Sequence, residues 1–148
     1  MFQLMNDPDW IRNIGDRGIR AEEDAWDYIF NKIRPAYSKK GMGFRVVRLL
    51  SNQQSIGIVG LVKRPFLNHV DIGFAFLPES RGYGYALEAT EAIYQFGKNE
   101  LGLDQISAIT IPSNQPSIRL LEKIGFTFDS MIKWPDDGTE LMYYISQS

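Results

Sequence analysis

The sequence contains no cysteine, and its 148 residues include a single histidine, His69. Without cysteine the chain can form no disulfide, no thiolate metal site and no acyl intermediate on a thiol. One histidine cannot build a histidine metal site, because such sites usually need three or four ligands. We therefore expect no metal, and any acyl transfer must proceed without a cysteine nucleophile.

The chain also has no large excess of positive or negative charge and no long apolar run. The net charge is −2, and no basic cluster is present that could neutralise the phosphates of a nucleic acid. No apolar run approaches the roughly 20 residues that cross a bilayer, and the N-terminus lacks the pattern of a signal peptide. We expect a cytoplasmic protein with neither a nucleic acid nor a membrane among its partners.

The residues that are present have the composition of a folded domain. Hydrophobic residues make up 44% and charged residues 23%, which is ordinary for globular proteins and unlike a disordered chain. A chain of this length also buries enough surface to form a real core. The sequence therefore predicts a single domain over residues 1–148.

Hydrophobic periodicity and turn residues divide the chain into helices and strands. Helices are predicted over residues 9–14, 21–33, 86–98 and 116–124. Strands are predicted over residues 44–50, 55–63, 69–77, 106–111, 127–134 and 140–145, and hairpins join the first two and the last two. The order from residue 69 to residue 111 predicts a βαβ unit with parallel strands. The fold class is therefore α/β (α+β), with a mixed sheet of about six strands and helices on both faces.

The third predicted strand has two unequal faces, because side chains alternate along a strand. The bulky face carries Val70, Ile72, Phe74 and Phe76, and the opposite face carries Asp71, Gly73 and Ala75. A face this bare usually allows a helix or a ligand to approach the backbone closely.

A glycine-rich turn follows this strand and leads directly into a helix. Residues 81–86 read RGYGYA. Gly82 and Gly84 remove side chains and permit unusual φ, so consecutive backbone N–H groups can point at an anion beside the positive end of the helix dipole. The turn is either a pyrophosphate-binding loop or a tight connection without a ligand. It lacks the Gly-Lys-Ser/Thr of an ATP-binding P-loop and does not complete the dinucleotide pattern.

In this position the turn resembles the acyl-CoA loop of the GNAT superfamily of N-acetyltransferases, which has the pattern Arg/Gln-x-x-Gly-x-Gly/Ala. Arg81, Gly84 and Ala86 match that pattern. Three separated blocks also resemble, in this order, the RimJ/RimL acetyltransferases of ribosomal-protein N-termini. They are IGDRG at residues 14–18, DIGFAFLPESRGYGYA at residues 71–86 and NQPSIRLLEKIGF at residues 114–126.

The resemblance implies a GNAT-like, mostly antiparallel sheet and direct transfer of the acetyl group of acetyl-CoA to a primary amine in a ternary complex. The amine would belong to a protein N-terminus, a lysine or a small molecule. By similarity, acetyl-CoA would bind to the third strand, the glycine-rich loop and one asparagine. The residues are Phe74, Ala75, Phe76, Arg81, Gly82, Tyr83, Gly84, Tyr85, Ala86 and Asn114.

Two residues match catalytic positions of the family. Asp71 lies where relatives often carry a glutamate base, and Ser117 matches a serine proposed to protonate the departing thiolate. Each also has a structural interpretation: Asp71 as a half-exposed strand residue, and Ser117 as a residue of a helix's first turn. Asn114 is equally typical of a helix cap. His69 is an alternative base, and three tryptophans, Trp10, Trp26 and Trp134, belong either to an acceptor pocket or to the core.

Two features depart from the family pattern. Leu121 stands where many relatives have a tyrosine that serves as general acid. The strand that usually opens the fold is apparently missing, since the chain begins almost inside the first helix. These departures favour a second hypothesis, a noncatalytic acyl-CoA-binding module, which turnover would distinguish from an enzyme. A partly unpaired sheet edge would promote association, so we expect a monomer or a homodimer.

Overall fold

The computed structural model describes every residue from 1 to 148. Helices α1 (Phe2–Met5), α2 (Pro8–Asn13) and α3 (Glu22–Tyr28) come first, and α3 continues through a π-helical turn (Ile29–Ile33) into a 3₁₀ turn (Arg34–Ser38). Strands β1 (Gly43–Arg48), β2 (Ser55–Val62) and β3 (Val70–Phe76) follow. A 3₁₀ turn (Pro78–Ser80) then leads to α4 (Tyr85–Asn99), β4 (Ile106–Thr110), α5 (Gln115–Ile124), β5 (Thr127–Lys133) and β6 (Glu140–Ile145).

The six strands form one sheet in the order β1-β2-β3-β4-β6-β5. β3 and β4 are parallel, and every other pair of neighbours is antiparallel. The parallel pair exists because α4 carries the chain back across the sheet, as a crossover connection must. The mixed, mostly antiparallel architecture confirms the predicted fold class.

Helices cover both faces of this sheet. On one face α4 and α5 pack over a core cluster that includes Leu61 of β2 and Ile72 of β3. On the other face the N-terminal helices contribute Trp10 and Ala25 to a second cluster, which packs on Ile58 of β2. The sheet therefore separates two cores, and β3 and β4 diverge between them after a short paired segment.

The two unequal faces of β3 have different partners. Phe74 packs against the cluster beneath α4 and α5, whereas Ala75 packs against the cluster under the N-terminal helices. A Cβ added at Gly73 would lie 3.0 Å from a ring carbon of Phe44 in β1. The bare face thus admits the Phe44 ring and the N-terminal helices close to the strand.

The N-terminal helices differ from the prediction in two ways. The helix predicted over residues 21–33 is α-helical only as far as Tyr28 and continues as the π turn and then the 3₁₀ turn. Pro35 has no N–H to donate, so a regular α-helix cannot continue through it, and the chain adopts a 3₁₀ turn instead. The four residues of α1 were not predicted, because so short a segment carries no periodic signal.

The two edges of the sheet are β1 and β5. The hydroxyl of Tyr37, in the 3₁₀ turn before β1, donates a hydrogen bond to the carbonyl of Phe44. Association through the β1 edge stays a prediction. No helix has both the length and the apolar content needed to cross a membrane.

Candidate active site

β3 and β4 are neighbours over only part of their length. They pair at Val70 with Ile106 and at Asp71 with Ser107, and then part. β3 remains paired with β2 as far as Phe76. One edge of β3 is therefore open from residue 72 onward, in the middle of the sheet.

The backbone groups at this open edge follow from the strand register. The N–H of Leu77 donates to the carbonyl of Ile56 at 2.8 Å, and polar groups alternate between the two edges of a strand. Ala75, which pairs with Ile58, therefore turns its N–H and C=O toward β2. Phe74 and Phe76 turn theirs toward the open edge.

A cleft with a volume of about 1080 Å³ lies beside this edge. Its lining includes the bare face of β3, the diverging part of β4 and the start of α5, and the hairpin between β5 and β6 also contributes. Representative lining residues are Asp71, Gly73, Ala75, Thr110, Asn114 and Ser117. The parting of two strands thus brings residues that are distant in sequence to a single cavity.

The glycine-rich loop joins the end of β3 to α4. Gly82 and Gly84 have φ of +85° and +82°, and a Cβ added at either would meet no atom within 4 Å. The first hydrogen bond of α4 runs from the N–H of Glu88 to the carbonyl of Gly84, and the N–H groups of residues 82–87 find no acceptor within the chain. Six consecutive donors at the N-terminus of a helix form a site suited to an anion.

The side chain of Arg81 is directed away from this row of donors. Its Nε and Nη2 donate to the carbonyl of Phe76 at 3.2 and 2.9 Å. Nη2 also donates to Oδ2 of Asp7 at 2.7 Å, and Nη1 donates to Asp9. Arg81 therefore links the end of β3 to the N-terminal end of α2.

Asp71 is the most deeply buried acidic residue of the cleft, with 1% of its side chain exposed. Its Oδ2 accepts a hydrogen bond from Nε of Arg64 at 2.8 Å, and its Oδ1 is buried without a partner. Burial raises the pKa of this carboxyl from 3.8 to about 6, although the charge and hydrogen bond of Arg64 and the N–H of Ile109 oppose the rise. The interpretation of Asp71 as a half-exposed strand residue is therefore wrong, because β2, β4 and Arg64 enclose its side chain.

Asn114 and Ser117 lie at the start of α5. Asn114 is the N-cap, and its Oδ1 accepts a hydrogen bond from the N–H of Ser117 at 3.4 Å. The cap is long, and the hydroxyl of Ser117 makes no hydrogen bond within the chain. Both residues line the cleft, so capping and contact with a ligand are compatible for Asn114.

The remaining residues singled out in the sequence have different positions. Trp10 is 7% exposed and belongs to the core, yet it also reaches the cleft, as does Trp134. Trp26 is 68% exposed on α3 and lies outside the cleft. His69 is partly buried and does not line the cleft. Leu121 is 1% exposed and lines it with a hydrocarbon side chain.

Sequence reasoning missed Arg64, which joins Asp71 to the aromatic side of the cleft. Its guanidinium carbon lies 5.5 Å from the centre of the Trp134 ring, within the range of a cation–π contact. No sequence motif predicts that Arg64 contacts Asp71, because Arg64 lies in an irregular loop between β2 and β3. The only available signal was its nearness in sequence to an acidic strand residue.

Comparison with known proteins gives a consistent result. Residues 1–127 match the family profile described as acetyltransferase (GNAT) domain. The chain is 31% identical over 133 residues to an uncharacterized N-acetyltransferase of Bacillus subtilis, YnaD, covering 90% of this chain and 75% of the relative. A GNAT-family acetyltransferase structure from Bacillus anthracis superposes with a TM-score of 0.79 at 26% identity, covering 99% of this chain and 86% of that one. An acetyltransferase structure from Agrobacterium tumefaciens gives 0.80 at 22% identity, covering 99% and 82%, which shows the shared fold.

Proposed function

The chain belongs to the GNAT family of acyl-CoA-dependent acetyltransferases, and from that premise we propose that it transfers the acetyl group of acetyl-CoA directly to a primary amine in a ternary complex. The acceptor is a protein N-terminus, a lysine or a small amine. The three sequence blocks similar to the RimJ/RimL branch favour the first of these. The chain has no cysteine to carry the acetyl group, which supports direct transfer.

The observation that carries this proposal is the open edge of β3 beside a row of unpartnered N–H groups. Acetyl-CoA supplies the acetyl thioester, a long amide-bearing arm and a pyrophosphate. Phe74 directs its N–H and C=O toward the open edge, as does Phe76, whose carbonyl is shared with Arg81. These groups suit an extended amide chain that pairs like an added strand. Ala75 lies between them and contributes a small side chain that leaves the edge accessible.

The pyrophosphate fits the start of α4. The N–H groups of residues 82–87 have no acceptor in the chain, and the helix dipole adds partial positive charge at the same place. Gly82, Tyr83, Gly84, Tyr85 and Ala86 thus provide the donors, and the open space above both glycines allows close approach. In this proposal Arg81 supports the loop through Phe76, and Asn114 contributes from the opposite side of the cleft.

We assign the general base to Asp71. An amine reacts in its neutral form, and with a pKa near 8 for an α-amine or near 10.4 for a lysine it must first lose a proton. Burial raises the pKa of Asp71 to about 6, which keeps the carboxylate ionised at neutral pH and makes it a better base than an ordinary aspartate. Asp71 lines the cleft, and in this proposal the proton of the amine reaches its carboxylate through a bridging water.

Ser117 is the proposed acid that protonates the departing thiolate. Its hydroxyl is free of hydrogen bonds within the chain and lines the cleft. Leu121, where many relatives have a tyrosine, offers no proton. The leucine at this position favours the second candidate, a module that binds acyl-CoA without turning it over.

Thiol release from acetyl-CoA tests both candidates. The purified chain is mixed with acetyl-CoA and a panel of acceptors: peptides with free N-termini, the same peptides with blocked N-termini and a free lysine, and small primary amines. Amine-dependent release supports the acetyltransferase proposal and names the acceptor class. Tight binding of acetyl-CoA in calorimetry with no release from any amine would support the binding module instead.

A further inference from the structure

The two carboxylate oxygens of Asp71, which lines the cleft, have different surroundings. Oδ2 is held by Nε of Arg64 at 2.8 Å, and Oδ1 has no partner. A carboxylate that is free to rotate would present either oxygen, whereas this one is fixed in a single orientation. Arg64 is therefore in a position to decide which oxygen can receive a proton.

The guanidinium of Arg64 is itself held in place by Trp134. The indole ring lies 5.5 Å from the guanidinium carbon, and the ring of Phe66 meets Trp134 edge-on at 5.1 Å between centres. The indole N–H donates to Oδ2 of Asp136 at 3.2 Å. The carbonyl and N–H of Trp134 are engaged with Gly138 and Thr139, which closes the hairpin. Trp134 thus presents its ring to Arg64 from a closed hairpin, with its indole N–H bonded to Asp136.

We propose that Arg64 is a positioning residue for the acetyl transfer: it fixes Asp71 through Oδ2 and leaves Oδ1 as the oxygen that receives the proton, and Trp134 holds the guanidinium of Arg64 in that orientation. The inference rests on the proposed function, in which Asp71 is the base. Arg64 touches neither reacting atom, and it acts through Asp71.

Arg64 is the one charged group that exerts a Coulombic effect on Asp71. Lys63, at the end of β2, donates instead to the carbonyls of Leu67 and Asn68 at 2.6 and 2.8 Å. From β4, the hydroxyl of Ser107 donates to the carbonyl of Val70. The other charged groups that line the cleft, namely Arg12, Asp16, Arg17, Lys32, Asp136 and Asp137, do not contribute to the pKa of Asp71.

The variants that test this role are Arg64→Met, which keeps an unbranched apolar stem over Trp134, and Arg64→Lys, which keeps the charge without the planar guanidinium. An opposite charge within about 4–6 Å lowers a carboxyl pKa by about 1–3 units. In Arg64→Met we therefore expect the pKa of Asp71 to rise by about 1–3 units. Arg64→Lys should show a smaller rise, because the charge remains and the fixed geometry is lost.

Two readouts separate positioning from a structural role. The carboxyl-carbon resonance of Asp71, assigned by its loss in Asp71→Asn, gives the pKa without any turnover. The pH dependence of kcat gives the acidic limb, and we expect it to move upward together with the carboxyl pKa in Arg64→Met and to return partly in Arg64→Lys. Trp134→Leu should raise the carboxyl pKa of Asp71 and shift the acidic limb of kcat upward, each by a smaller amount than Arg64→Met does.

Arg45→Met is the matched control. Arg45 also stacks on an aromatic ring, with its guanidinium carbon 5.1 Å from the centre of Phe96, and it is exposed on β1 without a carboxylate partner. Neither the carboxyl pKa nor the pH profile should change in this variant. Circular dichroism confirms that each protein is folded before it is titrated.

The outcomes separate this inference from the function on which it rests. A carboxyl pKa that does not move in Arg64→Met overturns the inference, and so does a pKa that moves while the acidic limb of kcat stays in place. In both cases wild-type turnover leaves the proposed function intact. A wild-type chain that releases no thiol with any amine overturns the function itself, and the catalytic role of Arg64 with it.

Discussion

Arg81 and Asp7 lie 74 positions apart in the chain and form an ion pair, with 2.7 Å between Nη2 and Oδ2. The Asp7 side chain is 5% exposed and that of Arg81 is 39% exposed. The same guanidinium donates to the carbonyl of Phe76. One side chain therefore connects the N-terminal helices, the end of β3 and the loop proposed to hold the pyrophosphate.

Replacing Arg81 by methionine should destabilise the fold. The carboxylate of Asp7 would stay buried without its partner, and such a loss costs about 1–3 kcal/mol. Urea denaturation followed by tryptophan fluorescence measures the free energy of unfolding. Calorimetric titration of acetyl-CoA into the folded variant then distinguishes two roles: an unchanged dissociation constant means that Arg81 acts by fastening the helices, and a large increase means that it also contacts the ligand.

Arg12→Met is the control for this prediction. Arg12 forms an ion pair with Asp9, and its side chain is 68% exposed, so its loss should cost less than about 0.5 kcal/mol. Equal destabilisation by the two substitutions would contradict the special role assigned to the Arg81–Asp7 pair.

Gly84→Glu should abolish acetyl-CoA binding. The backbone of Gly84 has φ of +82° and open space above it, so the new side chain would project where the pyrophosphate is proposed to bind. Juxtaposed like charges cost several kcal/mol, which corresponds to a loss of affinity of about 100-fold or more. Isothermal calorimetry with acetyl-CoA measures the loss.

Gly102→Glu controls for the strain of the substitution. Gly102 also has a left-handed backbone, with φ of +66°, and a Cβ there would meet no atom within 4 Å. It is exposed just beyond the C-terminal end of α4, away from the loop. Both variants should lose similar stability, and only Gly84→Glu should lose affinity. Equal affinities in the two variants would exclude this loop as the pyrophosphate site.

Asp71 should make the stability of the wild-type chain fall as the pH rises. Its pKa in the folded chain is about 6, above the ordinary 3.8, so the folded state binds the extra proton between these values. The resulting contribution is fully present below about pH 3.8 and is lost as the pH passes 6. A difference of about two units corresponds to roughly 3 kcal/mol.

The comparison with Asp71→Asn isolates this contribution from all other titrating groups. The free energy of unfolding of the variant minus that of the wild type should increase between about pH 4 and 6. It should then stay constant up to neutral pH. Denaturation at half-unit pH steps gives the curve. A difference that is flat across this window would mean that the pKa of Asp71 is not raised by burial.

The elements with strong local signals could be predicted from the sequence. The predicted bounds of β6 agree with the observed ones at both ends, because Asp137 and Gly138 make a recognisable turn before an alternating strand. The loop at residues 81–86 was found for the same reason, since glycines between a strand and a helix are a local pattern. The mixed sheet and its βαβ unit followed from the order of these elements, and the family resemblance added that the sheet is mostly antiparallel.

The contacts that organise the candidate site could not be predicted in this way. Arg64 reaches Asp71, and Arg81 reaches Asp7, through side-chain geometry that exists only after the strands and helices have packed. The parting of β3 and β4 has no signature in the residues of β4, whose apolar pattern would equally suit a fully paired strand. The burial of Asp71 was missed because strand alternation does not reveal which neighbours will cover a side chain.

Ser117→Ala should lower kcat and leave the stability of the fold almost unchanged. The hydroxyl makes no hydrogen bond within the chain, while the N–H that bonds to Asn114 is part of the backbone and survives the substitution. Loss of a general acid typically costs about 10²–10⁴-fold in rate. The KM for acetyl-CoA should stay close to that of the wild type, since a proton given to the leaving thiolate acts only in the transition state.

The neighbouring Ser113→Ala provides the control for this last prediction. Ser113 is exposed and lies outside the cleft, so its substitution should change neither kcat nor KM. Steady-state thiol release at saturating amine measures both variants, and thermal unfolding confirms that their stabilities match. If Ser117→Ala retained the full kcat, Ser117 would be only a first-turn residue of α5. The thiolate would then take its proton from water, because Leu121, at the position of the family's tyrosine, has none to give.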